Sequence, residues 1–440
     1  MKNIIKNNYK YVLIFMFILI FGLIVIPGDL DEIWSYGFTH SIYKGLIPYK
    51  DFNMIVTPLY PFILSLPFHI FGSSMLVFHI TQALLFTGLS YFLFKLIDKK
   101  AWIIILLFFF PVAIFFPGYN LLVFFLLIVI IYLEKNNYND ILIGLVIGLS
   151  FLTKQTFIVF LLPSLMYIPN IKKISKRLLG FIIPNIVFLI YLICTKSFNS
   201  FMNLCIYGLF DFTSGNGKLF TIWMFLTIVL VLITIIYIKK HKQDIMPYYV
   251  ILFYTLLIPL FDVKHFMEAL LAFLFMILYY TKKEIRINYV LAFIIIIIFE
   301  SCIIISDKTK TKLQYPNKIN HFEYKLLDKF SIDITNSVNK YIKNNKYKKI
   351  VFMDSNGYYF KIVNDLNIEY TDLLNKGNYG YNGSNKLLKD IKSKKDYIYF
   401  IDKQELKRPK QTDKRAIKYV LKHGKKIDTV KLYEVYTLNK

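Results

Sequence analysis

The reading turns on Gly28–Tyr60, GDLDEIWSYGFTHSIYKGLIPYKDFNMIVTPLY, a polar, turn-rich stretch set between two apolar blocks. Most other connections in the first three hundred residues are far shorter. It opens with an acidic cluster, Asp29, Asp31 and Glu32, where the first apolar run ends. The spacing predicts a helix over Glu32–Lys44, stopped by Gly45. Ile33, Trp34, Phe38 and Ile42 gather on one side of it, while Glu32, Ser35 and His40 lie away from them. That division suits a helix resting on a membrane surface. Asp29 or Asp31 can cap it, because an aspartate satisfies free N–H groups and complements the helix dipole. A carboxylate at a membrane surface can equally accept the proton of an attacking hydroxyl. On the residues alone both readings stay open.

Outward from this loop the chain is too apolar for water. It is 56% hydrophobic and 18% aromatic, with a mean hydropathy of +0.50. This composition predicts a multi-pass α-helical membrane protein. Apolar runs fall at 11–27, 75–97, 101–117, 119–133, 140–153, 155–169, 178–194, 218–238, 247–262, 265–281 and 287–306, which predicts about eleven transmembrane helices. The first follows Lys2, Lys6 and Lys10 and is not followed by a small-residue cleavage site, so it reads as a retained helix. Residues 58–71 are apolar too, but Pro58, Pro61 and Pro67 interrupt them, and a short interfacial or re-entrant segment is expected there.

With a cytoplasmic N-terminus, the inner loops are Lys95–Lys100, Glu134–Asp140, Lys172–Arg177, Lys239–Lys242 and Lys282–Arg286, four of which carry clear basic clusters. The outer connections Pro111–Asn120, Thr153–Gln155 and Asp262–Lys264 carry few. Positive charge therefore lies inside, and the loop 28–60, the loop Thr195–Gly217 and the tail face outward.

Residues 1–306 form the predicted membrane domain, and 307–440 differ in kind. The tail carries 30 Lys+Arg against 15 Asp+Glu. Its short β-rich runs at 350–353, 396–401, 425–430 and 432–438 alternate with polar helical stretches at 322–345, 356–366, 384–394 and 412–423. This pattern predicts a small extracytoplasmic α/β domain. The lysines come with no nucleic-acid recognition motif, so a membrane surface or an acidic polymer is the expected neighbour. Cys194, Cys205 and Cys302 show neither disulfide nor zinc spacing, and no P-loop or GxGxxG is present. Neither a metal nor a cofactor is expected.

The order of features around the opening stretch is specific. One span, the pair Asp31-Glu32, a short helix ending in Gly45, then Ile47-Pro48-Tyr49-x-Asp51-Phe52 and Thr57-Pro58-Leu59-Tyr60-Pro61 resembles the first external loop of GT-C superfamily glycosyltransferases. The closest branch is that of protein O-mannosyltransferases and lipid A aminoarabinose transferases. The resemblance is strongest over residues 11–100, weaker to about 306, and absent from the tail. It implies a catalytic or acceptor-positioning role for Asp31, with Glu32 beside it. The chain departs from the pattern at Thr57, where many members carry a lysine, and at Gly118-Tyr119-Asn120, where an acid is common. Asparagine cannot act as a base there.

Lys154, in Leu152-Thr153-Lys154-Gln155, and Lys264-His265 stand out on the cation-poor outer side. They are either snorkelling groups at helix ends or a clamp for a donor phosphate. Glu268 lies one turn beyond Lys264 and can pair with it. His40, Tyr49 and Asn120 are further loop candidates. The expectation is an inverting glycosyltransferase of a bacterial plasma membrane. It moves a sugar from a polyprenyl-phosphate donor to a cell-envelope glycan, lipid or protein, with Asp31 as general base. A lipid-linked saccharide flippase or transporter predicts charges within spans and an internal repeat, neither of which is visible. A polysaccharide polymerase or ligase predicts a late working loop with arginines, and no arginine of this chain lies in an outward-facing membrane loop.

Overall fold

The computed structural model describes residues 2–24, 30–97, 118–166, 170–216, 220–258, 260–280, 314–354, 357–369, 372, 377–407 and 413–438. The N-terminal part is helical: α1 (Lys2–Ile24), α2 (Leu30–Tyr43), α3 (Leu59–Ser65), α4 (Phe68–Phe71), α5 (Met75–Leu96), α6 (Tyr119–Lys135) and α7 (Asp140–Thr153). There follow α8 (Leu161–Met166), α9 (Ile171–Cys194), α10 (Phe198–Phe201), α11 (Gly208–Asn216), α12 (Ile222–Lys240), α13 (Met246–Phe253) and α14 (Val263–Tyr280).

Among the described residues, four helices are long and apolar enough to cross a membrane: α5, α9, α12 and α14. A helix of about 20 residues matches a hydrocarbon thickness of about 30 Å. α9 and α12 bury only 22% and 17% of their most apolar stretch, whereas α5 and α14 bury 56% and 67%. The first two thus present apolar surface outward, as lipid contact requires, and the latter two form the interior.

The expected eleven spans are not reached among the described residues, and 101–117 and 287–306 lie outside them. Three predicted spans prove short for a physical reason. Helix α7 has 14 residues and ends where Lys154 turns extended. The runs after Lys154 and before Ile258 are broken by tight 3₁₀ turns at Gln155–Phe160 and Tyr254–Leu257. Residues 58–71 form the two short helices α3 and α4 around Pro67, with Leu66, Ile70 and Phe71 exposed.

Helices α7 and α9 approach each other closely through two glycines. A Cβ at Gly144 would stand 2.0 Å from the Arg177 carbonyl oxygen, and one at Gly180 would stand 2.0 Å from that of Ile141. Small residues let backbones meet where lipid gives no hydrophobic drive. At that end Arg177 Nη2 donates to Glu134 Oε2 at 2.8 Å and its Nε to Asp140 Oδ1 at 2.8 Å. This buried clamp joins α6, α7 and α9.

The tail begins with the small β1–β2 pair (Gln314–Tyr315 with Leu327–Asp328). It continues as α15 (Lys329–Asn345), β3 (Ile350–Phe352), α16 (Gly357–Val363), α17 (Gly383–Ser393), β4 (Ile398–Asp402), α18 (Lys414–His423), β5 (Lys425–Val430) and β6 (Tyr433–Thr437). The sheet order is β3-β4-β6-β5, parallel at β3–β4 and antiparallel elsewhere. Alternate residues point to opposite faces of a strand. Accordingly Tyr399 and Ile401 pack with Leu387, Ile417 and Val420 of α17 and α18, while Phe400 packs with Val338 of α15 and Phe360 of α16. The four strands of this sheet fall on the β-rich runs of the sequence, whereas the helix expected over 322–345 begins only at Lys329, because Leu327–Asp328 pair as β2 and Asp328 caps the helix.

The tail is built onto the opening loop. Tyr358 of α16 fits where Gly37 of α2 has no side chain, since a Cβ there would lie 2.8 Å from the ring. The Tyr358 hydroxyl donates to the Asn53 carbonyl at 3.3 Å, and the Asn53 amide donates to the Asn378 carbonyl at 3.2 Å. The Leu326 N–H reaches the Leu23 carbonyl at 3.1 Å, and the Met75 N–H reaches that of His321 at 2.8 Å. Helix α2 is therefore not a surface helix. Glu32, Ser35 and His40 on its polar side are as buried as Ile33. Its polar side faces the tail rather than water, which amphipathicity alone could not distinguish.

Candidate functional site

Helix α2 starts at Leu30, so Asp31 is its second residue, inside the first turn rather than at the cap. An acid there complements the positive end of the helix dipole. Asp29 lies outside the described residues. Gly45 stops the helix by adopting a φ of +82°, which brings the Leu46 N–H to the Ser41 carbonyl at 3.0 Å.

Glu32 is committed to a buried network. Its Oε1 accepts from Lys325 Nζ at 2.6 Å and lies 3.1 Å from His79 Nε2. Lys325 also donates to the Gly22 carbonyl at 3.0 Å. Burial alone would raise the Glu32 carboxyl, but Lys325 and His79 outweigh it and hold it down at about 2. One ion pair thus joins α1, α2, α5 and the tail. The sequence reading missed both partners. Lys325 is one lysine among many in a basic tail. His79 gave a usable signal, a histidine near the start of an apolar helix.

A second polar cluster gathers Lys154, Lys264 and His265. Lys154 Nζ donates to Asn120 Oδ1 at 3.1 Å, and Asn120 Nδ2 donates to Glu268 Oε2 at 2.7 Å. Lys154 also lies 5.5 Å from the centre of the Tyr119 ring. Glu268 is within electrostatic reach of His265, Lys264 and Lys154. His265 closes the start of α14 on Asp262, its ring Nδ1 at 2.8 Å and its backbone N–H at 3.0 Å from Oδ1. The three cations singled out in sequence, together with Asn120, thus share one neighbourhood. Glu268 pairs with Asn120 from another helix. Gln155, beside Lys154, holds the loop in place by donating to the Ile55 and Cys205 carbonyls, both at 2.9 Å.

Beside the Glu32 network lies a small apolar cavity of about 30 Å³. Ile18, Phe86, Leu122 and Phe125 wall it, and Tyr60, Gln82, His79 and Gly118 supply polar groups and backbone. Gln82 Nε2 donates to the Tyr60 hydroxyl at 2.9 Å. His79 belongs to the Glu32 network, and Gly118 directly precedes Tyr119 and Asn120. The Glu32 network thus reaches the pocket directly through His79, whereas no member of the Lys154 cluster lines it and the link there is the chain itself, Gly118 lying two residues before Asn120.

The remaining loop candidates are placed elsewhere. Tyr49, at a φ of +70°, closes the tight turn Pro48–Phe52, and its buried hydroxyl donates to the Val56 carbonyl at 3.0 Å. Asp51 holds the Ile47 N–H at 2.7 Å, and Asp211 holds the Asn382 N–H of the tail at 2.7 Å. Both acids are structural. His40 is buried on the tail-facing side of α2, its ring centre 4.9 Å from that of His321. Burial, then the charges of His321 and Lys44, push its imidazole down to about 3, so it is neutral.

No family model matches the chain, and neither a curated protein nor a solved structure is significantly similar to it. The functional reading therefore rests on the site itself.

Proposed function

We propose that the chain is an inverting glycosyltransferase of the GT-C type, taking its sugar from a polyprenyl-phosphate donor at the outer face of the plasma membrane. The observation that supports this reading is the gathering of Lys154, Asn120, Lys264 and His265 around Glu268, in a helical domain that also holds an apolar pocket lined by Tyr60, His79 and Gln82. A lipid tail needs apolar walls, and its phosphate needs a cation at the rim. Lys154, seconded by Lys264, meets the phosphate, and Asn120 holds the Lys154 ammonium in position. Glu32 is occupied by Lys325, which leaves Asp31 as the base of the acidic pair. The acceptor oxygen attacks the sugar C1, Asp31 takes the hydroxyl proton, and the C1–O bond to phosphate breaks with its electron pair going to the phosphate. The lysines stabilise the charge that develops there.

The same reading keeps the N-terminus cytoplasmic, the loop 28–60 and the tail outward, and the apolar stretches 101–117 and 287–306 as further spans. The tail, packed on α2, forms the roof over the acceptor path. Donor binding tests the reading. Lys154→Met is expected to weaken binding of a short-chain polyprenyl-phosphate sugar by about 10- to 100-fold, the worth of a charge-assisted hydrogen bond. Native mass spectrometry of the purified protein reads this directly. Unchanged binding would remove Lys154 from the donor site.

A further inference from the structure

Where α2 meets the tail, His40, His321 and Asp365 each offer one donor atom, all within 4.8 Å of one another. We infer that these three residues form a divalent transition-metal site that clips the opening loop to the extracytoplasmic tail. The inference does not depend on the glycosyltransferase reading.

The orientation of each donor supports it. The His321 ring approaches the Ser73 carbonyl through Nδ1 at 2.8 Å, so that nitrogen carries the proton and donates. In the neutral ring this leaves the Nε2 lone pair, which faces Asp365 Oδ1 at 3.1 Å. Two acceptors at that separation need a positive centre between or beside them. The other Asp365 oxygen, Oδ2, accepts from Asn320 Nδ2 at 2.8 Å, fixing the carboxylate. A carbonyl behind a histidine and an amide behind a carboxylate are the outer-shell partners that metal ligands use.

A proton on His321 would satisfy the His321–Asp365 pair but not His40. His40 is only 4% exposed, and its Nε2 has no hydrogen-bond partner among the described residues. A buried ring nitrogen without a partner is costly, and a shared cation supplies what it lacks. Lys44 Nζ lies 3.7 Å from Asp365 Oδ1, but both side chains are half-exposed, and the lysine can swing aside. Tetrahedral zinc with bonds of about 2.0 Å places its ligands about 3.3 Å apart, so small side-chain rotations close the site. Two imidazoles and one carboxylate suit zinc-class ions rather than magnesium or calcium, and leave a position for water.

The test uses untagged full-length protein in nanodiscs, stripped with a chelator and titrated with Zn²⁺, with Co²⁺ absorption in the visible as the reporter of coordination. One zinc per chain is expected, with the thermal midpoint raised on binding. Asp365→Ala removes a surface ligand without disturbing the core and should abolish stoichiometric binding. Asn320→Ala, which only frees the carboxylate, should weaken it by about 10-fold. His40→Gln should also lose the Co²⁺ signal. Absence of zinc binding by the wild-type chain, or binding unchanged in both Asp365→Ala and His40→Gln, overturns the site.

Discussion

Asp31→Asn is expected to lower sugar transfer by at least about 100-fold while leaving donor binding within about twofold. A positioned general base contributes roughly 10²–10⁴ in rate, and an amide cannot take the acceptor proton. Asparagine keeps the size and the helical position of aspartate in the first turn of α2, so the fold should persist. The comparison with Glu32→Gln is informative because the two acids are neighbours in sequence with different surroundings. Glu32 is buried against Lys325 and His79, and its loss should act on stability first. Measuring turnover and thermal midpoint for both variants separates the roles. A variant Asp31→Asn with near-normal turnover would end the assignment of the base.

Lys325→Met is expected to destabilise the protein by about 3–5 kcal/mol, because it leaves the Glu32 carboxylate buried without its charge partner. The double variant Glu32→Gln, Lys325→Met should recover much of that loss. The pH dependence has a definite sign. Glu32 is held at about 2 in the folded protein against 4.5 for an ordinary glutamate. Its contribution is therefore present above about pH 4.5 and fades as the pH falls toward 2. In Lys325→Met burial dominates and the carboxyl rises, so the deficit should shrink in mildly acidic buffer where Glu32 protonates. A thermal melt series from pH 7 to pH 4 on wild type and variant measures this. A deficit that stays constant with pH would show that Lys325 acts by packing alone.

The tail's four strands were legible because alternation of apolar residues is a local signal, and 350–353 and 396–401 are short, β-branched and aromatic. The helix after the first span was legible from Gly45, whose left-handed turn ends it. Its surroundings were not. Amphipathicity says that one side of α2 is polar, but not whether water or another part of the chain covers it, and here Tyr358 and Lys325 arrive from about three hundred residues away. The same limit explains the site. Lys154 and Lys264 stood out because the outer side has few cations, and they do share a neighbourhood. Lys325 could not be picked from a basic tail, and Asn120 was read as a missing acid and a loop candidate, whereas its amide bridges Lys154 and Glu268. The span count exceeded the long helices because apolar composition does not register the tight turns after Lys154 and before Ile258.

The fate of the sugar label tests the central claim most directly. Purified protein in liposomes is given polyprenyl-phosphate sugars, each labelled in the sugar, together with an envelope extract as acceptor. The account predicts that for one donor the label leaves the lipid, appears on the acceptor with inverted configuration, and is matched by free polyprenyl phosphate. If instead the label stays on the lipid while the lipid crosses the bilayer, the protein is a transporter and the account is contradicted.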